Sequence, residues 1–299
     1  MTGKGSYPES GLLPMGRHAV FAVGPAGAGK STCCAALHEH ARMKRRNVQV
    51  VNLDPACEAM HVEVAIDVRN LISVDDVAEE LEYGPNGALV FCMEYLASHI
   101  EWLMEKLNEF GDDCYFIFDC PGQIELYTHF PAMQTICRAL SDDGFFVAGM
   151  YLVDSLFVAE PSKFIAGILV AMSAMLQLEL PWVNILSKCD KLEGYARGGP
   201  DCTESEANSN AALLERIVVP SGRELAARVD AEPNGGKYAA LSNALATLLD
   251  DYSMLSFIPL DITDPDTVDA ALQHLDRATQ YGDDVEPSGM GFASEGGDQ

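Results

Sequence analysis

A chain of 299 residues, 48% of them hydrophobic, can bury one large α/β core or two small ones. Its formal net charge of −26 argues against direct nucleic-acid binding, which needs clustered Lys and Arg on a phosphate-facing surface. The nine cysteines include no C-x-x-C pair, so neither a zinc site nor a disulfide framework is indicated, and free thiols fit an intracellular chain.

In chain order, residues 1–16 are polar and rich in Pro and Gly. They carry no signal-peptide hydrophobic region and read as a disordered lead. Residues 19–23 form an apolar strand pattern that runs into Gly24-Pro25-Ala26-Gly27-Ala28-Gly29-Lys30-Ser31, followed by Thr32 and a helix-forming run. Strand, G-x-x-x-x-G-K-[ST] and helix make the context of a phosphate-binding loop. Gly27, Ala28, Gly29, Lys30, Ser31 and Thr32 are therefore expected to hold nucleotide phosphates. Lys30 would reach the β/γ-phosphates and the Ser31 hydroxyl would ligate Mg²⁺. The helix ends in the one short basic run, Arg42-Met43-Lys44-Arg45-Arg46, where cations complement the helix dipole; a localisation signal or a partner patch is the lesser reading.

Residues 48–53 give a second buried strand ending at Asp54-Pro55-Ala56, which places Asp54 at a strand C-terminus, where open parallel sheets bind ligands. Asp67-Val68-Arg69-Asn70 and the acidic cluster after it fall in a mixed stretch without an assigned role. Tyr83-Gly84-Pro85-Asn86-Gly87 is a dense turn signal, and residues 88–110 carry apolar positions at helical spacing, predicting one long amphipathic helix. A strand over 114–118 ends in Asp119-Cys120-Pro121-Gly122-Gln123. Asp-x-x-Gly after a buried strand is the second metal and γ-phosphate element of a P-loop NTPase, with Asp119 near Mg²⁺ and Gln123 as a water-orienting group; Glu125 is a weaker candidate. A helix over 124–140 and a strand over 146–153 ending at Asp154-Ser155 follow.

The longest apolar region, 164–180, is interrupted by Ser173, Gln177 and Glu179 and reads as a buried helix, so no membrane span is expected. The fifth strand in order, 182–186, ends in Ser187-Lys188-Cys189-Asp190, close to the guanine motif Asn/Thr-Lys-x-Asp. A carboxylate there accepts from guanine N1–H and N2–H₂ together, a donor pair adenine lacks. Residues 194–236 contain a polar insertion, with helical segments at 211–219 and, beyond it, 238–250. A last strand (256–260), a base-side loop at Asp261 and a helix over 265–281 close the domain, and residues 282–299 read as a disordered acidic tail. The expected architecture is a single α/β domain over 17–281, a P-loop NTPase with a mostly parallel sheet flanked by helices.

The ordered set formed by the phosphate loop, Asn52-Leu53-Asp54-Pro55-Ala56, Gly84-Pro85-Asn86, Asp119-x-Pro121-Gly122-Gln123 and Ser187-Lys188-Cys189-Asp190 resembles the GPN-loop GTPase family. Asn-Leu-Asp-Pro also resembles the second-strand motif of the MinD-like and signal-recognition-GTPase branch, where this Asp faces Mg²⁺ and the attacking water. The resemblance implies GTP and Mg²⁺ as ligands, with Ser31, Asp54 and Asp119 at the metal and Asn86, Asp54, Gln123 and Asp119 in hydrolysis. It also implies a homodimer, or a heterodimer with a paralogue, in which Asn86 reaches the partner's nucleotide. Eukaryotic relatives imply RNA polymerase II subunits as clients and a cytoplasmic chain that shuttles to the nucleus. A P-loop kinase would need a basic, mobile lid, and the insertion offers little beyond Arg197, Arg223 and Arg228. A nucleotide-dependent assembly factor with negligible hydrolysis is the other alternative.

Overall fold

The computed structural model describes residues 16–60, 62–191, 222–231, 239–251 and 256–282. The expected N-terminal lead, most of the insertion with its 211–219 helix, and the acidic tail lie outside them.

Seven parallel strands make one sheet in the order β3-β2-β4-β1-β5-β6-β7. They are β1 (His18–Val23), β2 (Val48–Asn52), β3 (Ile66–Asp67), β4 (Tyr115–Asp119), β5 (Phe146–Asp154), β6 (Trp182–Ser187) and β7 (Phe257–Pro259). The two-residue β3 gave no apolar run in the sequence, so the strand over Trp182–Ser187 is sixth, not fifth. β1 shows why these strands read as continuous apolar runs. Ala19, Phe21 and Val23 join one core cluster, Val20 and Ala22 another, so both faces are covered.

On the Val20 face lie α1 (Lys30–Met43) and the last helix, here α10 (Pro265–Ala278). On the Phe21 face lie α3 (Pro85–Ser98), α4 (Ile100–Leu107), α6 (Ala132–Asp142) and α7 (Pro161–Leu178). Among the described residues the remaining α-helices are α2 (Val74–Leu81), the single turn α5 (Glu125–Thr128), α8 (Gly222–Asp230) and α9 (Ala239–Asp251). By length and composition α7 could cross a membrane, but Phe164, Ile168, Ala171, Ala174 and Leu178 are buried against the sheet and its neighbours.

Two expected helices are each broken in two. The 88–110 helix stops at His99, whose backbone leaves the helical region at φ −120°, ψ 41°. His99 N–H reaches both Tyr95 O (3.0 Å) and Leu96 O (3.1 Å), so the last turn of α3 tightens there, and Ser98 Oγ to Glu94 O (2.8 Å) and the His99 ring to Tyr95 O (2.9 Å) add side-chain bonds to the same turn. The 124–140 helix breaks before Pro131, which has no N–H to donate. The helix α3 also starts earlier than its apolar spacing suggested. Gly84 is its N-cap and Pro85 its first residue, so Gly-Pro-Asn is a helix start and not a free-standing turn.

Because every strand runs the same way, the loops after β1, β2, β4, β5, β6 and β7 meet at one edge of the sheet. The phosphate loop, Asp54, Asp119-x-x-Gly122, Asp154-Ser155 and Ser187–Asp190 sit at these strand ends.

Candidate functional site

The chain leaves β1 through three glycines, Gly24, Gly27 and Gly29, at φ 149°, 76° and 89°, a region costly for other side chains. At Gly24 space is a second constraint, since a Cβ would stand 2.6 Å from the Leu152 carbonyl of β5. Ala28 N–H closes the turn on Pro25 O at 3.1 Å, and Gly29 caps α1, so the first unpaired amides of the helix belong to the loop. Lys30 is buried, and its ammonium donates to the carbonyls of Gly24 (3.0 Å) and Pro25 (3.1 Å). Burial pushes its pKa down, opposed by Asp119, Cys120 and Asp54. Ser31 is half-buried and Thr32 exposed on the same helical turn.

Asp119 ends β4 level with Ala22 of β1 and Asn52 of β2, and is 2% exposed. The turn after it closes on the phosphate loop. A Cβ on Gly122 would come within 2.9 Å of Ala26 Cα, and the Tyr127 hydroxyl donates to Pro121 O at 2.5 Å.

Asp54 follows β2, its Oδ1 accepting from Ala56 N–H at 3.0 Å. Burial raises its pKa, against that hydrogen bond and the charges of Lys30 and Arg69. The loop is braced from behind. Asn52 Oδ1 accepts from Asp54 N–H at 3.0 Å, and its Nδ2 donates to Asp54 O at 3.2 Å and Asp67 Oδ1 at 2.9 Å. Arg69 forks onto Asp67 (Nε to Oδ1 3.0 Å, a terminal nitrogen to Oδ2 2.5 Å) and donates to Cys57 O at 2.7 Å. Burial would raise the Asp67 pKa, but Arg69 and Asn52 outweigh it and hold the carboxyl below its ordinary value. The sequence shows Asn52 within the Asn-Leu-Asp-Pro motif and Asp67 and Arg69 without a role, but not the bracing contacts of any of the three. The signal was present as an Asn two residues before Asp54 and an Asp-x-Arg pair, but nothing in the spacing says that β3 lies beside β2.

Asn86 stands in the first turn of α3, and Gln123 Nε2 of the same chain donates to its Oδ1 at 2.6 Å. Beside the pair runs an open groove of about 440 Å³ lined by Tyr83, Val90, Phe91, Phe130, Glu94 and Glu125.

On the other side of β1, Ser187 ends β6 buried, donating to Ala28 O at 2.7 Å and Val153 O at 3.1 Å. Lys188, at φ 59°, extends its ammonium to Gly27 O at 2.5 Å. Cys189 turns its thiol inward toward Leu186 O (3.2 Å), and its N–H donates to Leu260 O at 3.1 Å, which ties the segment to the loop after β7. Asp190 is half-buried. In the β7 loop Asp261 Oδ1 accepts from both the N–H and the hydroxyl of Thr263 at 2.7 Å.

Among the described residues no group of three His, Cys, Asp or Glu side chains could hold a metal by itself. The local donors are oxygens only, from Ser31, Asp54 and Asp119. That set suits Mg²⁺, which takes one or two protein oxygens and completes its shell with water and phosphate oxygens.

A glycine loop opening a helix, a buried Lys, two carboxylates at neighbouring strand ends and a base-side Lys-x-Asp define a P-loop nucleotide-binding protein. A family profile described as "Conserved hypothetical ATP binding protein" matches residues 22–281. Proteins described as GPN-loop GTPase 3 align over 91% of the chain: that of Mycosarcoma maydis at 47% identity over 95% of its length, that of Danio rerio at 44% over 91%, and that of Saccharomyces cerevisiae at 42% over 96%. The chain belongs to the GPN-loop GTPase family. A solved structure of a GTPase in apo form from Pyrococcus abyssi shares the fold, with a TM-score of 0.65 over 87% of this chain and 97% of that one at 21% identity.

Proposed function

We propose that the protein binds GTP and hydrolyses it with Mg²⁺, as a switch completed by a second subunit. The observation that carries the guanine reading is the join between base-side and phosphate-side segments. Ser187 and Lys188 bond the carbonyls of Ala28 and Gly27, so Asp190 is set at a fixed offset from the phosphate loop. This favours GTP over the ATP of the profile's description, because the Asp190 carboxylate matches guanine's adjacent donors and would face adenine unpaired. The test is calorimetry with GDP, GTP, ADP and ATP. Guanine nucleotides are expected to bind at least about a hundredfold more tightly, with the preference lost in Asp190→Ala. Equal affinity for ATP in the wild type would sink the reading.

In hydrolysis, water attacks the γ-phosphorus, its P–O bond to GDP breaks, and the proton leaves with phosphate. Bound Mg²⁺ would neutralise the charge on the β- and γ-phosphates, held by Ser31 and, through water, Asp119 or Asp54. Lys30 is the fixed cation of the site. Reaching a phosphate means exchanging its bonds to Gly24 and Pro25 for charge-assisted ones, and its burial in a low-dielectric pocket strengthens them. Asp54, with its pKa raised by burial, and the Gln123 amide are the groups that orient the water.

The Gln123–Asn86 bond occupies both groups within one chain, which favours a slow isolated protomer; in the dimer Asn86 is offered to the partner's nucleotide. Lys30→Ala should abolish nucleotide binding, whereas Asn86→Ala should bind normally and turn over at least about tenfold more slowly. Wild-type turnover in Asn86→Ala would remove the trans role. The family resemblance further supports RNA polymerase II subunits as clients and a cytoplasmic protein that enters the nucleus with them. Capture of those subunits by GTP-loaded but not by Lys30→Ala protein is the expected result.

A further inference from the structure

β5 ends in Asp154 and the 3-10 turn after it begins with Ser155. Neither belongs to the phosphate loop or to the base-side motif, yet these consecutive side chains hold Lys188 at both ends. Asp154 Oδ2 accepts from the Lys188 ammonium at 2.6 Å, and the hydroxyl of the fully buried Ser155 donates to the Lys188 carbonyl at 2.9 Å. The other Asp154 oxygen accepts from Leu156 N–H at 2.9 Å, so the carboxylate is aimed before it meets the lysine. The clamp crosses one strand pair, since Asp154 lies level with Ser187 in the β5–β6 register. The residue it grips sits at φ 59°, in the left-handed region that L side chains rarely adopt. From that position Lys188 also reaches Gly27 O.

We infer that Asp154 and Ser155 are positioning residues for guanine recognition, acting through Lys188. The inference rests on the reading of residues 187–190 as the base site. Asp154 lies on the β5 side of β1, whereas Asp119 and Asp54 follow strands on the β4 side, so the clamp serves base binding and not the γ-phosphate. It should therefore weigh equally on GDP and GTP.

Full-length Asp154→Asn, Ser155→Ala, Lys188→Ala and Asp154→Asn/Lys188→Ala proteins would be titrated with GDP and GTP. Turnover and the nucleotide-free thermal midpoint would be measured alongside. Asp154→Asn is expected to weaken GDP and GTP by the same factor, about tenfold or more, with the loss in KM rather than kcat, and Ser155→Ala to act in the same direction. Adding Asp154→Asn to Lys188→Ala should cost nothing further, because the two act as one unit. A destabilised Asp154→Asn is judged by that double variant, since a general loss of stability would add to the Lys188→Ala effect. Wild-type affinity in Asp154→Asn, or an additive double variant, overturns the clamp. A wild type that binds ADP as tightly as GDP overturns the base reading instead, which separates the two failures.

Discussion

Gly122 shows how one missing Cβ sets a distance. The turn after β4 touches the phosphate loop so closely that an added methyl would stand 2.9 Å from the Ala26 Cα, against backbone and not a flexible side-chain end. One loop must then retreat. If the Gly122 N–H senses the γ-phosphate, Gly122→Ala should lower GTP affinity relative to GDP by about tenfold while leaving GDP binding near its wild-type value, read by calorimetry. An unchanged ratio would show that the contact only packs the loop. Lys30 and Ser187 were readable from residue type and spacing alone, because a glycine loop and a Lys-x-Asp each have a chemical reason for their pattern. Arg69, Asn52 and Asp154 were not. Each acts by gripping another residue across the sheet, and sequence spacing carries no record of which strand lies beside which.

Among the elements, α1 and α10 are joined where no motif predicts it. Lys44 and His40 both meet Asp269, and Arg46 forks onto Asp276 at 2.8 and 3.0 Å while lying over the Tyr281 ring at 4.0 Å. Bonds from Lys44 and then His40 hold the Asp269 carboxyl at about 2 against an ordinary 3.8. The folded-state pKa is depressed, so this contribution is complete above 3.8 and is lost as the pH falls toward about 2. Asp269→Asn should cost about 1 kcal/mol in urea unfolding at neutral pH, a figure discounted for partial exposure, and the gap to wild type should close through that acid window. A gap that persists at the acid end would assign the loss to packing. Seen from the sequence, the elements were mostly legible, because buried parallel strands make unbroken apolar runs. The misses were β3, too short for any pattern, the helix α8 (Gly222–Asp230) inside the stretch read as a polar insertion, and the two helix breaks. Apolar spacing continued straight through His99 and Pro131, although the backbone leaves the helical region at one and the other has no N–H to donate.

For the whole molecule, the parallel sheet gathers its chemistry on one edge and leaves Asn86 and the groove along α3 open beside it. The sequence could order those motifs along the chain but could not place Gln123, on the loop after β4, against Asn86 in the first turn of α3. The basic run at the end of α1 has a consequence for traffic. A transport receptor reads lysines and arginines from an extended, unengaged peptide. Here Arg42 and Met43 close the last turn of α1, and Lys44 and Arg46 just beyond it are bound to Asp269 and Asp276, while Arg42 and Arg45 stay exposed. Those two ion pairs work against the run's use as an address label. We propose that a chain with net charge −26, two of whose four basic-run cations are taken up in this way, would depend on what it carries for any passage into the nucleus.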